Sequence, residues 1–347
     1  MTNHISFVSV IIPCRNEERF IAICLDSIIA QNYPKNKLEI LVVDGMSRDR
    51  TRKIIKEFSK RNQFIKLLDN SKRITPVAFN IGIKHAKGDI VMIMSAHVTY
   101  KKDYMSKCVK YLERYKADNV GGILITLPGA NTLIAQSIAL SLSCPFGVGN
   151  SYFRIGSKEP RYVDTVPFGC YRKEIFDKIG LFDEDLIRNQ DDEFNLRLIK
   201  NGGKILLVPE IVSHYYAREN LVKLWKMYFQ YGYFKPLVAK KVGGILTWRQ
   251  LIPTLFLNSL FLTGTLSLFS EFFLWIFLCI ITSYAIADFS FSFYMSINKG
   301  LKILPFLAIS IATLHFSYGL GYLKGIWDFV IFRRHLSKKI KNVTLTR

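Results

Sequence analysis

Residues 8–20 read VSVIIPCRNEERF. Five mostly β-branched residues are followed by a proline and then by a polar stretch. This order is typical of a buried strand that ends in a loop and leads into a helix. Three more short apolar runs follow, namely EILVV at 39–43, FIKLL at 64–68 and DIVMIM at 89–94. The sequence therefore predicts four buried strands in its first hundred residues.

The segments between these runs have helical spacing. Residues 18–30 place their apolar side chains mainly on one helical face, and residues 50–61 and 76–85 form further helices of this kind. Alternating strands and helices predict a parallel sheet covered on both faces. Such sheets bind ligands at the carboxyl ends of their strands. The residues after each strand are therefore the candidates for chemistry.

Four segments place polar residues in such positions. They are PCRNEE at 13–18, DGMSRDRT at 44–51, SAH at 95–97 and the acidic helix start RNQDDEFNLRL at 188–198. No Walker sequence and no GxGxxG occurs, so the chain lacks the phosphate loop of a dehydrogenase-type dinucleotide fold.

The chain has 347 residues and a net charge of +21. It shows no zinc-finger spacing, RNA-binding aromatic signature or basic recognition helix, so nucleic acid is not the expected partner. Anionic lipid surfaces attract basic clusters by about 1 kcal/mol per charge, and we expect a membrane partner. The basic residues flank apolar stretches: Lys235, Lys240, Lys241, Arg249, Arg333, Arg334, Lys338, Lys339 and Lys341.

Beyond residue 250 the sequence is dominated by Leu, Phe and Ile. A helix of about 20 residues crosses a bilayer core of about 30 Å, which predicts spans at about 251–269, 272–291 and 301–323. A hydrophobic helical subdomain is the alternative. Three spans would place the basic tail outside, against the positive-inside tendency. Either the last segment re-enters or lies in the interface, or residues 321–332 form a fourth crossing.

The six cysteines form no CxxC pair and no regular framework, which favours reduced, buried side chains and a cytosolic face. The N-terminus MTNHISFVSVIIP has no basic region and no small-residue cleavage site, and we interpret it as a strand rather than a signal peptide. We therefore expect a multi-pass protein of the cell membrane with a cytoplasmic catalytic domain.

Taken in order, these landmarks resemble the family 2 glycosyltransferases over roughly residues 6–235. The resemblance implies an α/β glycosyltransferase A fold, a Rossmann-like nucleotide-diphospho-sugar transferase domain, followed here by C-terminal transmembrane helices. The chain resembles the membrane-bound, succinoglycan-type exopolysaccharide branch in four features: DGMSRD, the histidine of SAH, NQDDE and the membrane tail. The matching segments are VSVIIPCRNEERFIAICLDSI, ILVVDGMSRDRT, NIGIKHAKGDIVMIMSAH, FGCYRKEIFDKIGLFDEDL and QDDEFNLRL.

The resemblance implies a nucleotide-sugar pocket formed by Pro13, Asn16, Glu17 and Asp44. The Asp44 carboxylate would accept a hydrogen bond from a base N–H. Both acids also have a structural interpretation. Asp44 stands before a glycine and could form a turn, and Glu17 could be an acid in the first turn of a helix.

The acidic helix start is where the family places its catalytic acid. Counting back from Arg197 gives Asp191 as the general base, with Asp192 as the alternate. In the other interpretation, these acids only form the solvated N-terminal turn of a helix, where the helix dipole stabilises negative charge. A positioned carboxylate takes the proton of the acceptor hydroxyl as that hydroxyl attacks the anomeric carbon. The acceptor segment is expected at Phe168, Gly169 and Cys170.

Two aspartates of the family's metal motif are replaced by Ser95 and His97. The resemblance implies a divalent ion, Mn²⁺ or Mg²⁺, with His97 and His214 as candidate ligands, while Ser95 and Arg218 belong to the nucleotide-sugar site. In the alternative, both histidines are ordinary hydrogen-bonding groups, and cations such as Arg218 carry the charge.

The expected organisation is a catalytic domain at 1–235, a basic interfacial linker at 236–250, a transmembrane region at 251–332 and a basic tail at 333–347. The expected function is that of a membrane-anchored inverting glycosyltransferase. It would move a sugar from a nucleotide-sugar donor to a lipid-linked or polysaccharide acceptor in cell-surface glycan or exopolysaccharide synthesis. The alternative is a catalytically inactive membrane scaffold. The sugar, the acceptor and the oligomeric state stay open.

Overall fold

The computed structural model describes residues 5–244 and 247–333. The chain forms two compact units. The first contains the residues up to Ile125 together with Tyr152–Tyr215, and the second contains Thr126–Ser151 together with the residues from Tyr216 onward. The basic residues of the predicted tail from Arg334 onward lie outside the described residues.

The described residues form nine strands in one sheet. In chain order they are β1 (Val8–Cys14), β2 (Leu38–Asp44), β3 (Ile65–Asp69), β4 (Ile90–Ile93), β5 (Val98–Tyr100), β6 (Asn119–Leu127), β7 (Arg161–Tyr162), β8 (Cys170–Arg172) and β9 (Ile205–Tyr216). The strand order is β3-β2-β1-β4-β8-β6-β9-β5, and β7 pairs with β9.

The four predicted strands are confirmed, each to within two residues at either end. β1 lies between β2 and β4 and is parallel to both, and β3 is parallel to β2. The parallel arrangement stops at β4, because β8 is antiparallel to β4 and to β6, and β5 and β7 are antiparallel to β9. Antiparallel neighbours need no crossover helix, so the alternating pattern that revealed the first four strands is missing from the rest.

The helices of the first unit are α1 (Ile21–Ile29), α2 (Thr51–Arg61), α3 (Thr75–His85), α4 (Tyr104–Arg114), α7 (Tyr152–Ile155), α8 (Glu174–Ile179) and α9 (Gln190–Lys200). Those of the second unit are α5 (Leu133–Ser141), α6 (Pro145–Val148), α10 (Leu221–Val242), α11 (Ile252–Leu266), α12 (Glu271–Ser296) and α13 (Leu304–Gly325), which continues as a π-helix at Ile326–Ile331. Short 3₁₀ turns occupy Lys35–Lys37, Trp248–Gln250 and Leu301–Ile303.

Two segments of the second unit, Glu271–Ser296 and Leu301–Ile331, are long and apolar enough to cross a membrane, judged by length and composition. The first predicted span is a shorter helix, α11, of 15 residues, which at 1.5 Å per residue extends about 22 Å. Residues 236–242 of the predicted linker are the last turns of α10.

α10 and α13 pack so closely that their backbones are in contact. A Cβ on Gly232 would lie 2.0 Å from the Tyr318 carbonyl oxygen, and one on Gly321 would lie 2.1 Å from the Phe229 carbonyl oxygen. Only glycine fits at such an approach.

A buried acid lies on the central strands of the first unit. Glu39, on β2, is 3% exposed. It accepts hydrogen bonds from Ser9 Oγ at 2.7 Å, from Lys87 N–H at 2.7 Å and from Lys66 Nζ at 3.2 Å. Burial alone would raise the pKa of Glu39, but the hydrogen bonds from Lys87, Ser9 and Lys66 outweigh it and lower that pKa.

We expect Glu39→Gln to lower the free energy of unfolding at neutral pH by about 1–3 kcal/mol, because the charged acceptor is lost. A carboxyl whose pKa is lowered by folding stabilises the fold above its unfolded pKa, and that contribution is lost as the pH falls through its folded value. The difference in stability between wild type and variant should therefore become smaller as the pH is lowered. The melting temperatures of both proteins, measured over a range of pH values, would show this.

The matched control is Glu113→Gln, which changes an exposed acid that accepts from Ser6 Oγ at 3.3 Å. It should change the free energy of unfolding by less than about 0.5 kcal/mol. A gap between wild type and Glu39→Gln that stays constant down to low pH would contradict the assignment of this stability to the Glu39 charge.

Candidate active site

The loop that follows β1 is tied to the loop that follows β2. Asn16, in the left-handed region at φ 54°, donates its N–H to Ser47 Oγ at 2.8 Å and accepts from Arg48 N–H at 2.9 Å. Glu17 N–H donates to Thr51 Oγ1 at 2.7 Å. Two of the predicted binding residues are therefore held in place by the neighbouring loop. Pro13 lies just before them on β1, opposite Val43.

Asp44, at the end of β2, has no exposed surface. Its carboxylate accepts from Ser47 N–H at 3.0 Å, from Ser47 Oγ, from Arg52 Nη1 at 2.7 Å and from Cys14 Sγ at 3.7 Å. Arg52 also reaches Asp69 at 2.8 Å. These donors match the four lone-pair sites of a carboxylate. Base recognition by Asp44 stays a prediction, and it would require an incoming N–H to displace one of these donors.

The Cys14 thiol is the weakest of those donors. Burial, followed by the nearby Asp44 and Glu17 carboxylates, raises the pKa of Cys14 well above its usual value. The thiol therefore stays protonated and can donate to Asp44.

Ser95 and His97 follow β4 and face the loop after β1. Ser95 N–H donates to Tyr100 Oη at 2.8 Å, and Ser95 Oγ lies 3.4 Å from both ring nitrogens of His97. His97 Nδ1 lies 3.3 Å from Glu17 Oε1, and its ring centre is 5.7 Å from that of Tyr215. The structure thus joins a residue of the predicted nucleotide pocket to a residue of the predicted metal site.

The pair formed by Glu17 and His97 fits part of a metal site. Neighbouring ligands of an octahedral ion at 2.0–2.1 Å are roughly 3 Å apart, close to the observed separation of 3.3 Å. Such ions are commonly completed by substrate phosphates and water. Within residues 5–244 and 247–333, no group of three or more His, Cys, Asp or Glu could hold an ion by itself. Metal binding by His97 stays a prediction.

His214 and Arg218 lie further along the chain. His214 is on β9 opposite Thr99. Because side chains alternate along a strand, it faces away from Tyr215, the residue that His97 contacts. Burial and then the Lys101 charge lower the pKa of His214. Arg218 follows β9 in the second unit. A shared ion for His97 and His214, and a phosphate contact for Arg218, stay predictions.

The predicted acceptor segment leads into β8, which is antiparallel to β4 and pairs Cys170 with Met92. Its start therefore lies at the carboxyl end of β4. Ile93 N–H donates to the Gly169 carbonyl at 3.0 Å, and Phe168 adopts φ 50° with its carbonyl accepting from Tyr104 Oη at 3.2 Å. The segment is held beside the strand that leads to Ser95.

The helix that begins with the acidic residues, α9, contacts the same strand β8. Asp191 is exposed and Asp192 is half-buried. One turn below Asp191, Asn195 accepts from Tyr171 Oη at 3.2 Å and from Asn119 Nδ2 at 3.0 Å. Burial and then the Asp191 charge raise the pKa of Tyr171. The role of Asp191 as general base stays a prediction.

Glu193, the third acid of the cluster, has a structural role. It is 4% exposed, and Arg197 donates to both of its oxygens, at 2.7 and 3.0 Å. Arg197 also donates to the Leu181 carbonyl at 2.8 Å, while the rings of Phe182 and Phe194 stack with centres 4.4 Å apart. The i,i+4 spacing of Glu193 and Arg197 in the sequence indicates such a pair.

The predicted residues therefore follow successive strands of one sheet. Asp44 ends β2, Asn16 and Glu17 follow β1, His97 follows β4, and Phe168 precedes β8. Asp191 is in the first turn of α9, the helix whose Asn195 contacts Tyr171 of β8.

Comparison with known proteins identifies the family. The model of glycosyl transferase family 2 matches residues 9–180. A relative from Methanococcus voltae, named dolichyl N-acetyl-alpha-D-glucosaminyl phosphate 3-beta-D-2,3-diacetamido-2,3-dideoxy-beta-D-glucuronosyltransferase, is 38% identical over 75% of this chain and 83% of its own length. The succinoglycan biosynthesis protein ExoA of Rhizobium meliloti is 26% identical over 92% of this chain and 95% of its own.

Among solved structures, the mannosyltransferase PcManGT from Pyrobaculum calidifontis, in complex with GDP-Man and Mn²⁺, aligns with a TM-score of 0.61 at 19% identity. The alignment covers 94% of this chain and 88% of that one. This likeness concerns the fold and confirms the predicted α/β glycosyltransferase A architecture. With a 38% identical relative matched over most of its length, the chain belongs to glycosyl transferase family 2 and is a transferase.

Proposed function

We propose that this chain is a membrane-anchored, inverting glycosyltransferase that moves a sugar from a nucleotide-sugar donor to a lipid-linked or polysaccharide acceptor in cell-surface glycan or exopolysaccharide synthesis. The observation that carries this proposal is the contact between Glu17 and His97, which joins two strand ends at the edge where such sheets bind ligands. The names of relatives support the acceptor class, since one names a dolichyl phosphate-linked sugar and another succinoglycan biosynthesis.

In the proposed reaction the donor lies along Pro13, Asn16, Glu17 and Asp44, and the acceptor hydroxyl enters beside Phe168. Asp191 takes the hydroxyl proton as the oxygen attacks the anomeric carbon. One bond forms between this oxygen and the carbon while the bond from the carbon to the diphosphate breaks on the opposite face, which inverts the configuration. The nucleoside diphosphate leaves with the bonding electrons.

A divalent ion, Mn²⁺ or Mg²⁺, would be held by His97 with Glu17 beside it, and His214 is kept as a second candidate ligand. Such an ion would neutralise the negative charge on the diphosphate. The complex of PcManGT with Mn²⁺ supports this part of the proposal.

Membrane anchoring is proposed through the two long apolar helices, Glu271–Ser296 and Leu301–Ile331. The basic residues that flank the apolar stretches support a cytoplasmic catalytic domain and a multi-pass arrangement in the cell membrane. A donor made in the cytosol would then meet an acceptor held at the bilayer.

Asp191→Asn should lower turnover by about a hundredfold or more, because a general base contributes roughly 10²–10⁴-fold, while affinity for the nucleotide stays unchanged. The measurement is release of nucleoside diphosphate from whichever nucleotide-sugar of a panel the purified wild type consumes fastest. Asp192→Asn is the matched control and should retain most of the turnover. If only the Asp192 variant lost activity, the two assignments would be exchanged.

Removing metal from the wild type with a chelator should abolish turnover, and added Mn²⁺ should restore it. His97→Ala should raise the Mn²⁺ concentration for half-maximal activity by about tenfold or more, since even indirect disturbance of a ligand costs 10–100-fold in affinity. His85→Ala, at the exposed end of α3, serves as control. Wild-type activity that persists in chelator would show that no ion is used.

A further inference from the structure

Arg154, a positively charged residue that was not among the predicted site residues, lies next to the predicted site. Arg154, on α7, has its guanidinium carbon 5.8 Å from the centre of the Tyr215 ring and 5.4 Å from that of Phe153. Its Nη1 atom is buried and has no hydrogen-bond partner among the residues that the structure describes. A buried N–H without an acceptor is costly to leave unpaired. The position therefore suits an acceptor that comes from a ligand.

The Tyr215 ring connects Arg154 to the end of β4. His97 contacts the same ring, with ring centres 5.7 Å apart, and His97 in turn contacts Glu17. Arg154 and His97 are thus separated by a single side chain. Tyr152 and Phe153, next to Arg154, pack against the core of the first unit, which fixes α7 and limits how far the guanidinium can move.

The guanidinium of Arg154 is suited to binding an anion. A guanidinium presents several N–H donors in a plane, a geometry that matches the oxygens of a phosphate. The carboxyl edge of the sheet beside His97 is where folds of this kind hold the phosphates of a nucleotide. A serine at position 95, where the resembled family has a carboxylate, leaves more of the diphosphate charge to be balanced by other groups.

We propose that Arg154 binds the diphosphate of the nucleotide-sugar and balances the charge that develops on the departing nucleoside diphosphate. The inference rests on the proposed function and adds a residue that the sequence motifs did not indicate. The guanidinium belongs to the chain itself and therefore acts whether or not an ion is bound.

The test uses the full chain and a panel of UDP, GDP, CDP and ADP, each with its nucleoside. For the nucleotide that the wild type binds, Arg154→Gln should weaken diphosphate affinity by about tenfold or more, the size expected for a hydrogen bond to a charged group. Affinity for the matching nucleoside should stay unchanged. The measurement is titration calorimetry in the absence of acceptor.

Arg161→Gln is the matched control. Arg161 lies on the exposed strand β7, and its guanidinium carbon is 3.6 Å from the centre of the Tyr152 ring. The variant therefore removes one positive charge from the same segment without changing the contacts of Tyr215. It should bind the diphosphate as the wild type does. In Arg154→Ala, added guanidinium ions should restore part of the lost diphosphate affinity, which a purely structural role would not allow.

Three outcomes would overturn the inference. Unchanged diphosphate affinity in Arg154→Gln, with or without a raised KM for the acceptor, would show that Arg154 does not bind the diphosphate of the donor. A parallel loss of nucleoside affinity would make the residue structural. A wild type that binds none of the four nucleotides would refute the proposed function itself, and the inference with it.

Discussion

The parallel pairing of β1 with β2 on one side and with β4 on the other is the constraint on which the site depends. Because these strands run in one direction, the loops that leave them emerge at the same edge of the sheet. The contacts of Asn16 with Ser47 and of Glu17 with His97 follow from this arrangement. A shift of one residue in either pairing would turn every side chain to the opposite face and separate these groups.

The part of the site that depends on local pattern could be predicted from the sequence. Asn16, Glu17, Asp44 and His97 each follow an apolar run whose strand is confirmed. The partners of Asp44 could not be predicted, since Arg52 reaches it only after the chain has turned into α2. The nine-residue strand β6 was also missed, because its first four residues, two of them glycines, are all buried, so the strand shows no alternation of apolar and polar residues.

The second unit shows a different limit of sequence analysis. Hydropathy identifies long apolar segments but not the surfaces through which they pack. Gly232 and Gly321 allow the backbones of α10 and α13 to touch, so α10 is an integral part of the helical unit although its sequence carries many lysines. A helix that packs by glycine contact needs no continuous apolar face, and for this reason the boundary predicted at residue 235 falls within a helix.

In the proposed reaction, the charges at the end of β4 call for a cation. Glu17 brings a carboxylate to the place where a diphosphate would lie, and Ser95 brings no charge. Two like unit charges 4 Å apart repel by about 4 kcal/mol at an effective dielectric constant of 20, which corresponds to roughly a thousandfold in affinity. An ion held by His97 would offset this repulsion only while it is bound, and its binding would depend on the same Glu17 carboxylate. The Arg154 guanidinium, proposed to contact the diphosphate, would offset it without a bound ion. With a serine at position 95, where the resembled family has a carboxylate, the proposed site would therefore rely less on a captured ion and more on a charge that the chain itself carries.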